Sequence, residues 1–263
     1  MISQCRLCGS NKLQLWMTDG RNCDLNYYRC SVCTLWNYDL SLGLDQSQYT
    51  DNYVSPTVTD FKHNVDITQS WKYIKKRLST PGKVMDIGCG NACLLHLARQ
   101  EGWQVQGMEL AQSASDAIKD DQGIDVIVAN FLEYKTGEPA SFDLVVLRHV
   151  LEHLPDSILA MSQISSMLKV NGHALLEFPN TDSVAYAKKR WLKNRGLKNK
   201  KFAPEWRPGH CNEFCRSSFS FLLEKTNFEL VDWQTYSSKP WLNPIYRLFP
   251  IASKARALVR KIR

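Results

Sequence analysis

From Pro81 onward the chain alternates short apolar runs with amphipathic ones. The runs 83–87, 104–109, 124–128, 142–148 and 172–178 predict strands, and the stretches 91–101, 111–121 and 156–168 between them predict helices. The strand segments are apolar without strict alternation, the pattern of strands that helices cover on both faces. The order predicts an α/β fold built on a doubly wound, mostly parallel sheet. Upstream, Val65, Ile67, Trp71, Ile74 and Leu78 fall at helical spacing, and Pro81-Gly82 ends that helix. Beyond Pro179 the pattern predicts a further helical stretch, a helix over 216–226 and a strand over 228–236. The connection 129–141, with Gly137 and Pro139, reads as a loop with room for a short helical turn.

The first 45 residues follow a different rule. Cys5-x-x-Cys8 and Cys30-x-x-Cys33 are separated by polar and aromatic residues that suggest short strands. Each pair forms a knuckle with two thiolates on one side, and two knuckles supply the four soft ligands of a closed tetrahedral site. The spacing predicts a zinc ribbon whose metal is structural, because a closed site keeps no open coordination position. In so short a segment the metal is expected to replace much of a core. Cys23 falls outside the pattern and reads as a spare thiol.

The chain has 263 residues, 44% of them apolar, enough for one large domain and a smaller appendage. It contains no long apolar run, and its N-terminus has no signal design, so a cytoplasmic protein is expected. Nine cysteines, an odd number with several in CxxC pairs, fit reduced thiols and metal better than a disulfide framework. Charge is unevenly spread: residues 1–80 carry +2, 81–180 carry −7 and 181–263 carry +12, which sum to the formal +7. An acidic centre and a basic final third suggest that cofactor and anionic partner meet different regions.

The most informative run is Val84-Met85-Asp86-Ile87-Gly88-Cys89-Gly90-Asn91, a strand that breaks into a Gly-x-Gly turn before a helix. Gly88 permits the turn, Gly90 permits close approach of a ligand to the backbone, and the helix offers unpaired N–H groups. In a doubly wound sheet the ligand lies at the carboxyl ends of the strands. Gly88 to Asn91, Glu109, Asn130 and Arg148-His149 all fall there. Glu109 lies 19 residues after Gly90, where a carboxylate can accept both hydroxyls of a ribose. Asp86, inside an apolar strand, is expected to bind loop amides or a cofactor ammonium through water. A dinucleotide fingerprint would want a third glycine near Cys93, so an NAD-dependent dehydrogenase is disfavoured.

These residues together resemble a class I S-adenosylmethionine-dependent methyltransferase. Asp86, Gly88, Gly90 and Glu109 match that family's strand-turn-acid pattern, with Ala92 as the small residue after the turn. Phe142 to Leu147 followed by His149-Val150-Leu151-Glu152-His153 resembles its fourth strand and post-strand motif, and Leu168 to Leu176 resembles its fifth-strand entry. The resemblance covers roughly residues 65–236 and implies S-adenosylmethionine as cofactor. Gly88, Cys89 and Gly90 would border its methionine part, Glu109 with Leu110 the ribose, Asn130 with Phe131 the adenine, and Arg148 the rim. The four-cysteine ribbon and the segment Tyr49-Thr50-Asp51-Asn52-Tyr53 are similar to those of members that methylate sugars in antibiotic, capsule or surface-polysaccharide pathways. The implied division is a zinc ribbon at 1–45, a linker and helix at 46–80, a cofactor-binding domain at 81–240 with a basic lid at 181–215, and a basic amphipathic tail at 241–263.

Methyl transfer to a hydroxyl needs alignment and removal of a proton. His149 at the strand rim and His210, in a stretch resembling the family's His-x-x-x-Phe lid element, are the candidate bases, with His153 beside them. The HxxEH string also spells a zinc-peptidase motif, but it directly follows a strand and Pro155 comes two residues after it, whereas that motif needs a continuous helix. The segment Lys188–Lys201 carries eight Lys or Arg, with Trp191 among them, and suits a phosphate-bearing sugar or glycan substrate. RNA, as in a base methyltransferase, is the alternative nucleic-acid partner. A non-catalytic zinc-ribbon adaptor is the alternative of another class. The tail, with Ile251, Leu258, Val259 and Ile262 among basic residues, suggests peripheral contact with an anionic membrane.

Overall fold

The computed structural model describes residues 2–20, 25–45, 61–135, 137, 140–198, 200–203 and 206–263. Cys23, the linker and the Tyr49–Tyr53 segment lie outside the described residues. The chain opens with strands β1 (Leu13–Asp19), β2 (Leu25–Cys30) and β3 (Trp36–Tyr38), followed by helix α1 (Phe61–Lys75). Then come β4 (Lys83–Ile87), α2 (Cys93–Gln100), β5 (Gln104–Glu109), α3 (Gln112–Gln122), β6 (Val126–Val128) and β7 (Phe142–Arg148). After a 3-10 turn over Leu151–His153 follow α4 (Ser157–Met167), β8 (Leu168–Pro179), α5 (Val184–Asn194) and β9 (Asn212–Glu213). The chain continues through α6 (Arg216–Glu224), β10 (Phe228–Tyr236), the short α7 (Asn243–Leu248) and β11 (Lys254–Lys261).

Seven strands form the main sheet in the order β10-β11-β8-β7-β4-β5-β6. Five of them, from β8 to β6, run parallel, and β11 is antiparallel to both its neighbours. The α/β fold with a mostly parallel sheet is therefore as the sequence pattern implies. Strand order reverses at β4, whose neighbours are β5 and β7. A crevice forms outside the carboxyl ends of strands at such a reversal.

One expectation is corrected by β11. Residues 254–261 are not part of a peripheral tail: Ala255, Ala257, Leu258 and Val259 are buried between β8 and β10. The alternation that reads as a membrane-facing helix is a strand whose two faces both meet core, while Lys254 and Arg256 are spent on internal ion pairs. No helix among the described residues is long and apolar enough to cross a membrane.

The N-terminal strands form a second, antiparallel sheet in the order β1-β2-β3-β9. Its last strand comes from far along the chain, between α5 and α6. Cys5, Leu7, Cys30, Cys33 and Leu35 lie in one continuous apolar cluster with Phe178, Phe214 and Phe219 of the larger unit. The N-terminal sheet thus shares a core with the larger unit. The basic segment also differs from a free lid. Helix α5 packs along β1, where Arg190 stacks on Trp16 and Lys193 pairs with buried Asp19.

Candidate active site

A cavity of about 710 Å³ opens at the carboxyl ends of β4, β5 and β7. Gly88, Cys89, Gly90, Glu109, Leu110, Asn130, Phe131, Arg148, His149, His153 and His210 all line it. The turn after β4 is held by Gly88 N–H donating to Met108 O at 2.8 Å. Gly88 has φ +70°, and a Cβ there would meet Val150 Cγ2 at 2.6 Å, so a side chain would be strained by the conformation and would have to displace Val150.

Glu109 is anchored from two directions. Gly90 N–H donates to its Oε1 at 3.0 Å and Leu110 N–H to its Oε2 at 2.7 Å. Burial raises its pKa above the ordinary value, and the two amides oppose that rise. A carboxylate has about four acceptor sites, so two amides leave acceptor capacity for a diol.

Asp86 lies beneath the turn and is not among the lining residues. No loop amide reaches its buried Oδ1, which has no hydrogen-bond partner among the described residues. Burial pushes its pKa up to about 7, with Arg148 opposing and Glu109 and Glu177 adding to the rise. The expected amide contact at that oxygen is therefore absent, and the oxygen is an acceptor awaiting a donor. Asn130, expected at the adenine, turns its side chain to Glu133 Oε1 at 2.9 Å and to Leu132 N–H at 3.2 Å, while Phe131 presents a buried ring.

The histidines gather where β7 ends. His149 has φ +57°, an unusual conformation for a side-chain-bearing residue, and its N–H donates to Glu177 O at 2.7 Å. Its Nδ1 lies 3.2 Å from Oε1 of Glu152. Glu152 is buried; burial alone would raise its pKa, but His149, His153 and His210 hold it below the ordinary value. His153 Nδ1 meets Gly209 O at 2.7 Å, and its ring stands edge-on to His210 with centroids 4.5 Å apart. Burial lowers the His153 pKa, Glu152 opposing. His210 behaves oppositely: burial would lower it, but Glu213 and Glu152 raise it.

Three lining residues come from elements that the motif pattern does not mark. Asp66 of α1 pairs with Lys254 at the start of β11, and Ser238 Oγ lies 3.0 Å from Asp66 Oδ2. The apolar spacing of α1 conceals Asp66, and Lys254 has no local signal once β11 is read as a tail. Behind the rim, Glu177 receives Arg148 Nε at 2.8 Å, so Arg148 is committed to a buried ion pair as well as to the cavity wall. Cys211 and Cys215 are buried, Cys211 against Glu152 O and Cys215 at the start of α6.

A methyltransferase domain model matches residues 61–232. The chain belongs to this methyltransferase family. The chain is 29% identical over 121 residues to a ubiquinone biosynthesis O-methyltransferase of Xanthomonas campestris, covering 44% of this chain and 51% of that protein. It thus spans about half the length of the curated relatives it matches. Among solved structures, a protein of Pyrococcus horikoshii superposes with a TM-score of 0.59 at 15% identity, over 81% of this chain and 95% of that one. The magnesium protoporphyrin IX methyltransferase of Synechocystis, solved with bound SAH, gives 0.55 at 13% identity, over 76% and 84% of the two chains. At such identities the likeness is one of fold.

The cavity fits the cofactor this family implies. A glycine turn in which a Cβ would be strained and a doubly anchored carboxylate at the next strand end are complementary to a nucleoside carrying an amino acid, with an unpartnered buried oxygen on Asp86 beneath them. Away from the cavity, Cys5, Cys8, Cys30 and Cys33 each bring a sulfur to within 4.8 Å of the others. The Cys5–Cys33 and Cys8–Cys30 sulfurs are 3.4 and 3.5 Å apart. Tetrahedral zinc with bonds of about 2.3 Å requires sulfurs roughly 3.8 Å apart, so the cluster fits that ion with small adjustment.

Proposed function

We propose that this methyltransferase methylates a hydroxyl of a phosphate-bearing sugar or glycan precursor, using S-adenosylmethionine. The observation that carries this reading is that three imidazoles, His149, His153 and His210, open onto the same cavity as the Glu109 carboxylate. When bound, S-adenosylmethionine supplies an electrophilic methyl group on a positively charged sulfur. Glu109 would take the ribose hydroxyls, the Gly88–Gly90 backbone would border the methionine part, and Asp86 would face its ammonium through water.

His149 and His210 are the groups that would take the acceptor hydroxyl's proton. Imidazole suits that task near neutral pH. Glu152, buried among the three rings, would stabilise the imidazolium that results. Lys254, which lines the cavity, would be the cation nearest a phosphate-bearing acceptor. The four cysteines would hold a structural zinc.

Radiolabelled methyl transfer to nucleotide-linked sugars, lipid-phosphate-linked sugars and RNA tests the acceptor class. Label in either sugar pool supports the reading. Label only in RNA, with binding that weakens steeply as salt rises, replaces it with nucleic-acid methylation.

A further inference from the structure

The ribbon and the acceptor side of the cavity are joined through one short strand. Strand β9 pairs with β3, placing Glu213 opposite Trp36 and Asn212 opposite Asn37. The residue that leads into β9 is Cys211, and the one before it is His210. Two elements of the ribbon grip this entry. Tyr38 N–H donates to Cys211 O at 3.0 Å, and Arg6, between the cysteines of the first knuckle, donates from Nη1 to the same carbonyl at 2.8 Å. Arg6 also donates from Nη2 to Tyr38 O at 2.7 Å and from its backbone to Asn37 Oδ1 at 2.9 Å. Asn37 in turn donates to Cys5 Sγ at 3.6 Å. A continuous path of polar contacts therefore runs from a knuckle sulfur to the backbone beside His210.

The side chains repeat the connection. The Tyr38 hydroxyl, fully buried, donates to Glu213 Oε1, and His210 Nδ1 lies 3.4 Å from that same oxygen. Glu213 is itself only 1% exposed, whereas His210 opens into the cavity.

We propose that Glu213, held by Tyr38 of the ribbon, is the positioning residue for His210, so that the ribbon supports the acceptor site from behind His210. The proposal rests on the reading that His210 faces the acceptor. With Nδ1 turned to Glu213, Nε2 is the nitrogen that takes the acceptor proton. The titratable and charged groups facing His210 are Glu213 on β9, Glu152 and His153 on the 3-10 turn, and Lys189 on α5. The carboxylates favour the imidazolium, while Lys189 and a charged His153 oppose it. A base must start unprotonated, so the acid limb of kcat/KM lies above the ordinary histidine value.

Nuclear magnetic resonance titration of the His210 ring proton in zinc-loaded protein, beside the pH profile of kcat/KM, tests this. Glu213→Gln should shift the His210 titration and the acid limb downward together and lower kcat on the order of tenfold. Tyr38→Phe, which keeps the ring and the ribbon core, should lower kcat with S-adenosylhomocysteine affinity unchanged. An unmoved His210 titration in Glu213→Gln, or full kcat in Tyr38→Phe, overturns the proposal. Turnover that survives alanine at both His149 and His210 instead overturns the base reading of the preceding section, whatever the titration shows.

Discussion

Arg256 of the last strand reaches Glu177 of β8 at 2.8 Å between Nε and Oε1, both side chains being at least 95% buried. Arg148 meets the other carboxylate oxygen at 2.8 Å, and Tyr236 and Ser70 also bond to this carboxylate. One buried acid thus ties the cavity rim to the strand that the hydrophobic pattern misreads as a tail.

Burial alone would raise the Glu177 pKa, but Arg256 and Arg148 bring it down to about 2. A depressed folded-state value means that the stabilisation is complete above the ordinary glutamate pKa of 4.5 and is lost as pH falls from there towards 2. Glu177→Gln leaves two buried guanidinium groups without their counter-charge and should cost about 3–5 kcal/mol at pH 7. Thermal melts from pH 2.5 to 7 should show the gap between variant and wild type closing as the pH drops.

Asp86 predicts the opposite sign. Its folded-state pKa of about 7 lies above the ordinary 3.8, so stability present below pH 4 is lost as pH rises through 7. Asp86→Asn should therefore stabilise the cofactor-free protein at pH 8, by as much as about 4 kcal/mol. The same change should weaken S-adenosylhomocysteine binding. Melting and calorimetry on one preparation would show stability and affinity moving in opposite directions.

The four-cysteine cluster predicts one zinc per chain by atomic emission. Because Cys5, Cys30 and Cys33 share a core with Phe214 and Phe219, chelation should loosen more than the ribbon. A loss of a few kcal/mol corresponds to a fall in Tm of roughly 5–10 °C for a chain of this size. Cys33→Ala should reproduce that fall and abolish the zinc.

The sheet strands were legible because each is a short apolar run whose ends are marked by glycine, proline or a charge. The cofactor turn was legible because the Gly88 conformation restricts the residue type itself. What stayed hidden was long-range: β11 pairs with β8 across about 80 residues, and its alternation of small apolar and basic residues resembles a surface helix until Glu177 is known to await Arg256. Asp66 and Lys254 were missed for the same reason, since they converge only after α1 and β11 dock on opposite ends of the chain. Asn130 lines the cavity as expected, while its amide also serves its own turn through Glu133, a contact that short polar side chains commonly make after a strand end.

The central claim is that the cavity above Gly88 and Glu109 is a site for S-adenosylmethionine. Titration calorimetry of S-adenosylhomocysteine into wild type and Glu109→Ala tests it most directly. A single site per chain should appear in the wild type, and loss of the Glu109 carboxylate should weaken it about 10- to 100-fold, the effect of removing a charged hydrogen-bond acceptor. No binding to the wild type, or equal affinity in the variant, would contradict the account.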